Sequence, residues 1–263
     1  MADLDAILDD LDAESQEVDA MVAGLPDAAW ATATPAEGWT VAHQIAHLTW
    51  TDEKALISAT TPGEFGEELK RALIANEHYV DEGAAEHAGD PPATLLANWR
   101  ERRAELRAAL AAFPEGEKLP WYGPPMSPAS MATARMMETW AHGQDIADAL
   151  GIERRHGARL WHIARFGVRT RDFAFQLHSL APPAEPFRVE LTAPDGELWA
   201  FGPDDAAQRV TGSALGFCHI VTQRRHPGDT DVQAEGAGAE EWLRIAQAFA
   251  GQPGQGRREG QFA

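Results

Sequence analysis

The chain has 263 residues, 44% of them hydrophobic, with nine tryptophans and ten phenylalanines; that is enough apolar bulk for a large core and two compact units, and too much for a disordered chain. Its 22 basic against 41 acidic residues leave a formal charge of −19, which repels phosphate backbones and anionic headgroups and argues against nucleic acid or a membrane surface as partner. The single cysteine, Cys218, excludes an internal disulfide and a cysteine-rich zinc site.

The opening "MADLDAILDDLDAESQEVDAMVAGL" carries acids where a signal peptide carries bases, and no run approaches the roughly 20 apolar residues of a membrane span. The expectation is a soluble, cytoplasmic protein. From Leu4, the residues Ile7, Leu8, Leu11, Val18, Met21 and Val22 recur at helical spacing, so an amphipathic helix runs until "AGLPDAAW". Thr40 is the expected N-cap of a second helix, Val41 to about Ala59, in which His43 and His47 of "WTVAHQIAHL" share a face. A polar third helix is expected over about Glu64 to Asp81. Leu95, Leu96, Trp99, Leu106, Leu110 and Phe113 mark a fourth between "GDPP" and "FPEG". Ser127 and Pro128 read as N-cap and first position of a helix through Ala149 that Gly151 ends in a left-handed cap.

A further helical segment is expected from about Ala158 to Leu180, up to the linker-like "APPAEP". "FRVELTA", "PDG" and "ELWAFG" then predict a hairpin. After these come a helical "SALGFCHIVTQRR", a short strand in "DVQAEG" and a last helix, about Ala239 to Ala250. The fold class is α plus α+β. An up-and-down helical bundle at 1–155 is followed by a connecting helix and linker at 156–183, a smaller α+β domain at 184–250 and a tail at 251–263 expected to be mobile.

Two readings of the chemistry-bearing residues stand side by side. "ETWAH" puts Glu138 and His142 four residues apart on one helix face, so both heads reach one point. His47, from a facing helix, would complete a site of two imidazoles and one carboxylate with open coordination positions. Zinc suits that set. The plainer reading makes Glu138–His142 a solvated helix pair, with one of His43 and His47 at the surface and the other hydrogen-bonded in the core. Asp145, three residues after His142, is either an acceptor for an imidazole N–H or an exposed acid.

"EGWTVAHQIAHLTWTDEKAL" together with "ARMMETWAHGQDIADALGI" resembles the mycothiol-dependent maleylpyruvate isomerase family, a branch of the DinB-like metal-binding four-helix bundles. In that family a helix opening Trp-Thr-Val ends its motif in Ala-His-Leu. A later helix carries Glu-x-x-x-His, then Asp and a terminal Ala-Leu-Gly. The resemblance covers roughly residues 1–155. It implies the DinB-like bundle and a divalent metal held by His47, Glu138 and His142, with His43 at a position the family does not use. "RVTGSALGFCHIVTQRR" with "VQAEGAGAEEWLRIAQAF" is more loosely similar to a sterol-carrier-protein-like domain. Arg224 and Arg225 stand there where an anionic ligand would be gripped, or as a solvated helix end.

The resemblance implies a thiol-dependent transferase or isomerase in which mycothiol is activated at the metal and adds to a small electrophilic substrate. Cys218, in an apolar segment, is a poor nucleophile, so the thiol comes from outside. No GxSxG elbow, P-loop or GxGxxG fingerprint is present. Two alternatives remain: a metal-dependent lyase, cyclase or hydrolase of specialised metabolism that uses no thiol, and a non-catalytic module binding a small ligand. His43 as a proton donor, Tyr122 beside Trp121 on the loop before the ligand helix, and Asp145 are the further catalytic candidates. Trp50 and Trp140 flank the ligands and read as core. Substrate, metal identity and oligomeric state stay open at this point.

Overall fold

The computed structural model describes residues 3–75, 78–254 and 256–262, and the chain divides into two compact units, Met1–Arg154 and Arg155–Ala263. The first is helical: α1 Leu4–Val22, a 3-10 turn Asp27–Ala31, α2 Val41–Thr60, α3 Pro62–Ala75, α4 Tyr79–Ala88, α5 Pro92–Ala111 and α6 Pro128–Leu150. Its helix ends follow capping chemistry. The Asp3 carboxylate accepts from the Asp5 N–H, and Ser127 Oγ accepts from the Ser130 N–H with Pro128 in the first turn. Gly151 closes α6 at φ 64°.

α1, α2, α5 and α6 form the bundle, and two apolar clusters fix their directions. Val18, Val22, Val41, Ile45, Leu48, Leu95, Leu96, Trp99 and Ile146 belong to one; Ile7, Leu8, Leu11, Ala55, Leu106, Leu110, Met131 and Met136 belong to the other. The helices therefore run up, down, down, up. This refines the up-and-down expectation, because the α3–α4 excursion carries the chain back before α5 begins. Polar side chains interrupt the apolar seam between the clusters: Thr51 and Asp52 on α2, Arg135, Glu138 and His142 on α6. The pair Arg135–Asp52 is buried at both partners, with Nε 2.8 Å from Oδ1.

The single helix expected over Glu64–Asp81 is two helices on either side of residues 76 and 77, which lie outside the described residues. α4 escaped notice because the residues it buries are Gly83 and Ala84, which carry no hydrophobic signal. Gly83 is there for contact: a Cβ on it would lie 2.4 Å from Trp50 of α2. α1 and α6 pack equally closely, since a Cβ on Gly143 would lie 2.5 Å from Val18 Cγ2.

The second unit is α+β. Helices α7 Leu160–Arg169 and α8 Arg171–Leu177 precede a four-stranded sheet of β1 Phe187–Thr192, β2 Leu198–Phe201, β3 Gln208–Ser213 and β4 Gln233–Glu235, with α9 Ala214–Val221 and α10 Ala237–Ile245. Strand order is β2-β1-β3-β4; β1 pairs antiparallel with β2 as the hairpin signal required, and parallel with β3, which pattern reading did not find. α7 packs on α9, with Gly167 against Val221, so the segment read as a connecting helix is part of this unit's core. α10 ends earlier than expected because the Ala248 N–H donates to the Val221 carbonyl (2.8 Å), drawing the chain out of helix. In the segment expected to be a mobile tail, the Gly260 N–H donates to Asp229 (2.7 Å) and Phe262 lies under the Arg225 guanidinium at 4.0 Å.

Close packing at Gly143 sets a prediction. Gly143→Ala gains up to about 1 kcal/mol in helix propensity, but the added methyl meets a buried valine and overpacking costs about 1–3 kcal/mol. The expected net result is a lower thermal midpoint. Adding Val18→Ala should then cost less than Val18→Ala does in the wild-type background. Additive losses in calorimetry would contradict the tight α1–α6 contact.

Candidate metal centre

Because α2 and α6 run antiparallel, residues near the middle of each face one another. His47 projects from α2, and Glu138 and His142 project from successive turns of α6. Glu138 Oε2 lies 3.2 Å from His142 Nε2 and 3.7 Å from His47 Nε2, and the two imidazole centroids are 4.4 Å apart. Among the described residues this is the group of three whose ligand atoms all lie within 4.8 Å of one another. Both histidines are buried and Glu138 is half-buried. His47 Nδ1 is buried with no hydrogen-bond partner. An imidazole this poorly satisfied, beside a second imidazole and a carboxylate, is a donor set that a divalent ion completes.

Burial alone would raise the Glu138 carboxyl, but the imidazoles of His142 and His47 and the nearby Arg135 guanidinium outweigh it and hold Glu138 well below the usual carboxylate range. Arg135 is placed one turn earlier on α6, where its Nε meets Asp52 Oδ1 and its Nη2 donates to Thr51 Oγ1 at 2.5 Å. His142 Nδ1, turned away from Glu138, lies 2.5 Å from Gln44 Oε1. Gln44 thus stands as an acceptor at an imidazole nitrogen, and Asp145 lies buried on α6, which corrects its reading as an exposed acid.

The other candidates fall as follows. His43 is a helix cap: the Thr40 N–H donates to its Nδ1 (3.3 Å) and Thr40 Oγ1 lies 2.9 Å from the same atom. This ring nitrogen is therefore committed to local structure. Tyr122 packs on Phe65, Tyr79 and Trp121. Its hydroxyl is 3.0 Å from that of Tyr79, which donates to Glu68. Among the described residues a chain of rings links it to the centre, Tyr79 to Trp50 (5.0 Å) and Trp50 to His47 (6.0 Å). Burial pushes the Tyr122 hydroxyl upward and Tyr79 to about 12, so both stay protonated. Glu68 also pairs with Lys54 and Arg71, and with Trp50 and Tyr79 these line a cleft of about 540 Å³. Trp140 is core.

In the second unit, Cys218 is buried and its thiol is pushed upward by desolvation, as its apolar surroundings implied. The Arg224 Nη1 donates to the Thr222 carbonyl, and Arg225 to that of Arg224.

Trp39, like Gln44, is a site residue that sequence reasoning missed. Its ring lies 5.1 Å from His47 and stacks on His142 at 5.9 Å and 19°, and its Nε1 donates to Asp81 of α4 (2.9 Å). The available signal was its place two residues before the helix start, in a motif read only for its histidines.

Comparison with known proteins bears on this geometry. Residues 11–147 match the family model described as mycothiol maleylpyruvate isomerase N-terminal domain. Residues 183–235 match the model described as wyosine base formation, so the sterol-carrier likeness of the second unit is not confirmed. The chain is 56% identical over 257 residues to the uncharacterized protein Rv0036c of Mycobacterium tuberculosis strain H37Rv, covering 98% of this chain and all of that protein. The same figures hold for the uncharacterized protein MT0041 of strain CDC 1551. Two crystal structures of mycothiol-dependent maleylpyruvate isomerase, one a histidine-to-alanine mutant, share the fold at TM-scores of 0.60 and 0.62 with 17% identity, over 88% of this chain and 92% of theirs. Among the described residues no helix is long and apolar enough to cross a membrane.

The depressed Glu138 fixes a pH dependence. Its folded value lies below its unfolded one, so the ionised carboxylate stabilises the fold above the unfolded value, and that contribution disappears as pH falls through the folded value. Glu138→Gln, which mimics the protonated acid, should cost metal-free protein roughly 1–3 kcal/mol at pH 7. The difference should begin to close below pH 4.5. Urea unfolding in the presence of a chelator, at pH 7 and at stepwise lower pH, measures it; equal midpoints at pH 7 would refute the assignment.

Proposed function

The chain belongs to the mycothiol maleylpyruvate isomerase N-terminal-domain family, and on that premise we propose that it is a divalent-metal-dependent enzyme of the thiol-dependent isomerase or transferase type. The observation that carries this reading is the convergence of His47, Glu138 and His142 from two facing helices within 4.8 Å. Two imidazoles and one carboxylate suit zinc among the first-row ions and leave coordination positions for a thiol and a substrate. When bound, such an ion lowers the pKa of a coordinated thiol and polarises a carbonyl. Mycothiol is the thiol we propose, and a small electrophilic metabolite the substrate.

The chain's own residues divide the remaining work. Glu138 supplies the one negative charge of the ligand set and stays ionised through neutral pH. Gln44 holds the His142 ring from behind. Trp39 covers the two histidines with an apolar face, which limits water beside the centre and gives a flat substrate a surface to lie on. Cys218 supplies no nucleophile, because it is buried and protonated. The net charge of −19 argues against a reaction on nucleic acid. We propose a soluble, cytoplasmic setting, in keeping with the net charge of −19 and a single cysteine, which a reducing compartment permits.

Elemental analysis of the purified chain, paired with a thiol-binding screen, tests the reading. We expect one divalent ion per chain, its loss in both His47→Ala and Glu138→Ala, and turnover of electrophiles only with mycothiol present. Full occupancy in both variants would sink the ligand assignment. Undiminished turnover in a thiol-free preparation would instead favour a metal-dependent lyase or hydrolase.

A further inference from the structure

A closed circuit of contacts leads from the His142 ring back to itself. Behind the ring, His142 Nδ1 meets Gln44 Oε1 (2.5 Å), and Gln44 Nε2 donates to Thr34 Oγ1 (2.9 Å). Thr34 Oγ1 donates to the Trp39 carbonyl (3.1 Å), which also accepts from the Thr34 N–H (2.8 Å). The Trp39 indole then stacks on the His142 ring at 5.9 Å. The loop that makes this geometry turns at Gly38, φ 78°, and is clasped by the Ala33–Thr40 bridge.

The carbonyl at the far end sets the direction of every bond. A carbonyl accepts only, so Thr34 spends its hydroxyl proton on Trp39 and its oxygen receives from Gln44. Gln44 must therefore present its NH₂ to Thr34 and its oxygen to His142. A neutral His142 ring then carries its proton on Nδ1 and leaves Nε2 as the ligand atom; in the metal-free protein an Nε2–H facing the Glu138 carboxylate makes the ring an imidazolium with Nδ1 still protonated. Gln44 is fully buried, and a buried amide is costly unless its polar ends are bonded. Both ends are bonded here, one to the ligand and one to the loop.

We infer that Gln44 is a positioning residue that fixes the tautomer and orientation of His142 and makes both depend on the seating of the loop that carries Trp39. The inference rests on the metal reading above for its consequence, since an outer hydrogen bond that orients a ligating histidine is typically worth about 10–100-fold in metal affinity. Gln44 and Thr34 touch no reacting atom; they act through His142.

Two measurements on the full chain test it. In ¹⁵N spectra of histidine-labelled, metal-free protein, with His142 identified by difference against His142→Ala, we expect Nδ1 to be protonated. That preference should be lost in Gln44→Leu and regained in Gln44→Glu, which restores the acceptor. In Co²⁺ titrations Gln44→Leu should bind at least about tenfold more weakly than wild type and with an altered visible spectrum. Gln44→Glu should recover affinity, and Thr34→Val should fall between. Thr34→Val carries the same test should Gln44→Leu fail to fold. Wild-type affinity and spectrum in Gln44→Leu, or His142 protonated on Nε2 alone, would overturn the inference. Absence of Co²⁺ binding by the wild type would overturn the metal reading instead, and the nitrogen signals would then decide the tautomer by themselves.

Discussion

Everything proposed for this protein depends on the seam where α2 and α6 face each other, and the ion pair between Arg135 and Asp52 is the interaction that holds it. Both side chains are almost wholly out of solvent. Burying two charges is favourable only when the geometry is good and the leftover donors are used. Here the guanidinium meets Asp52 and Thr51 together. A pair of this kind adds less to net stability than an apolar contact of equal size, but it tolerates no slippage, because removing either partner strands the other. It lies five residues from His47 and three from Glu138, so the register it imposes on the two helices is the register the ligands need.

The same logic recurs where α1 meets its neighbours. Asp19 receives Arg100 at 2.6 Å and Arg103 at 3.0 Å from α5, and Arg107 holds Asp9 and Asp12. Glu14 is buried against Arg154. In a chain with nearly twice as many acids as bases, much of the positive charge of the first unit is spent fastening α1. Asp19, whose carboxyl is held below the usual range by Arg100, is one such acid neutralised inside the bundle.

How much of this could be read from the residues varied with the kind of signal. The ends of α2 and α6 were legible because Thr40, Ser127, Pro128 and Gly151 are chemical statements about unpaired backbone groups, local and independent of packing. α4 was not, since small residues packed against Trp50 look polar in isolation. β3 escaped because a parallel neighbour of β1 has no turn to announce it, whereas the β1–β2 hairpin does. Within the centre, spacing alone left Glu138 and His142 indistinguishable from a surface pair. The resemblance singled out His47, and the fold is what puts the three together. Gln44 and Trp39 both lie inside "WTVAHQIAHL" beside the two histidines. Their roles depend on which neighbours face them across the bundle, and one strand of sequence carries no record of that.

Cys218 has a meaning that goes beyond its failure as a nucleophile. A protein that handles a small thiol meets, under oxidative conditions, the disulfide of that same thiol, and any accessible sulfur would exchange with it and be capped. Exchange requires a thiolate within reach, and the one sulfhydryl of this chain is buried, protonated and pointed at the Leu160 carbonyl. The polypeptide therefore offers the oxidised cofactor pool no sulfur of its own. On the proposed function, its chemistry with sulfur would be confined to whatever arrives at the centre between α2 and α6, and its one sulfhydryl would take no part in it.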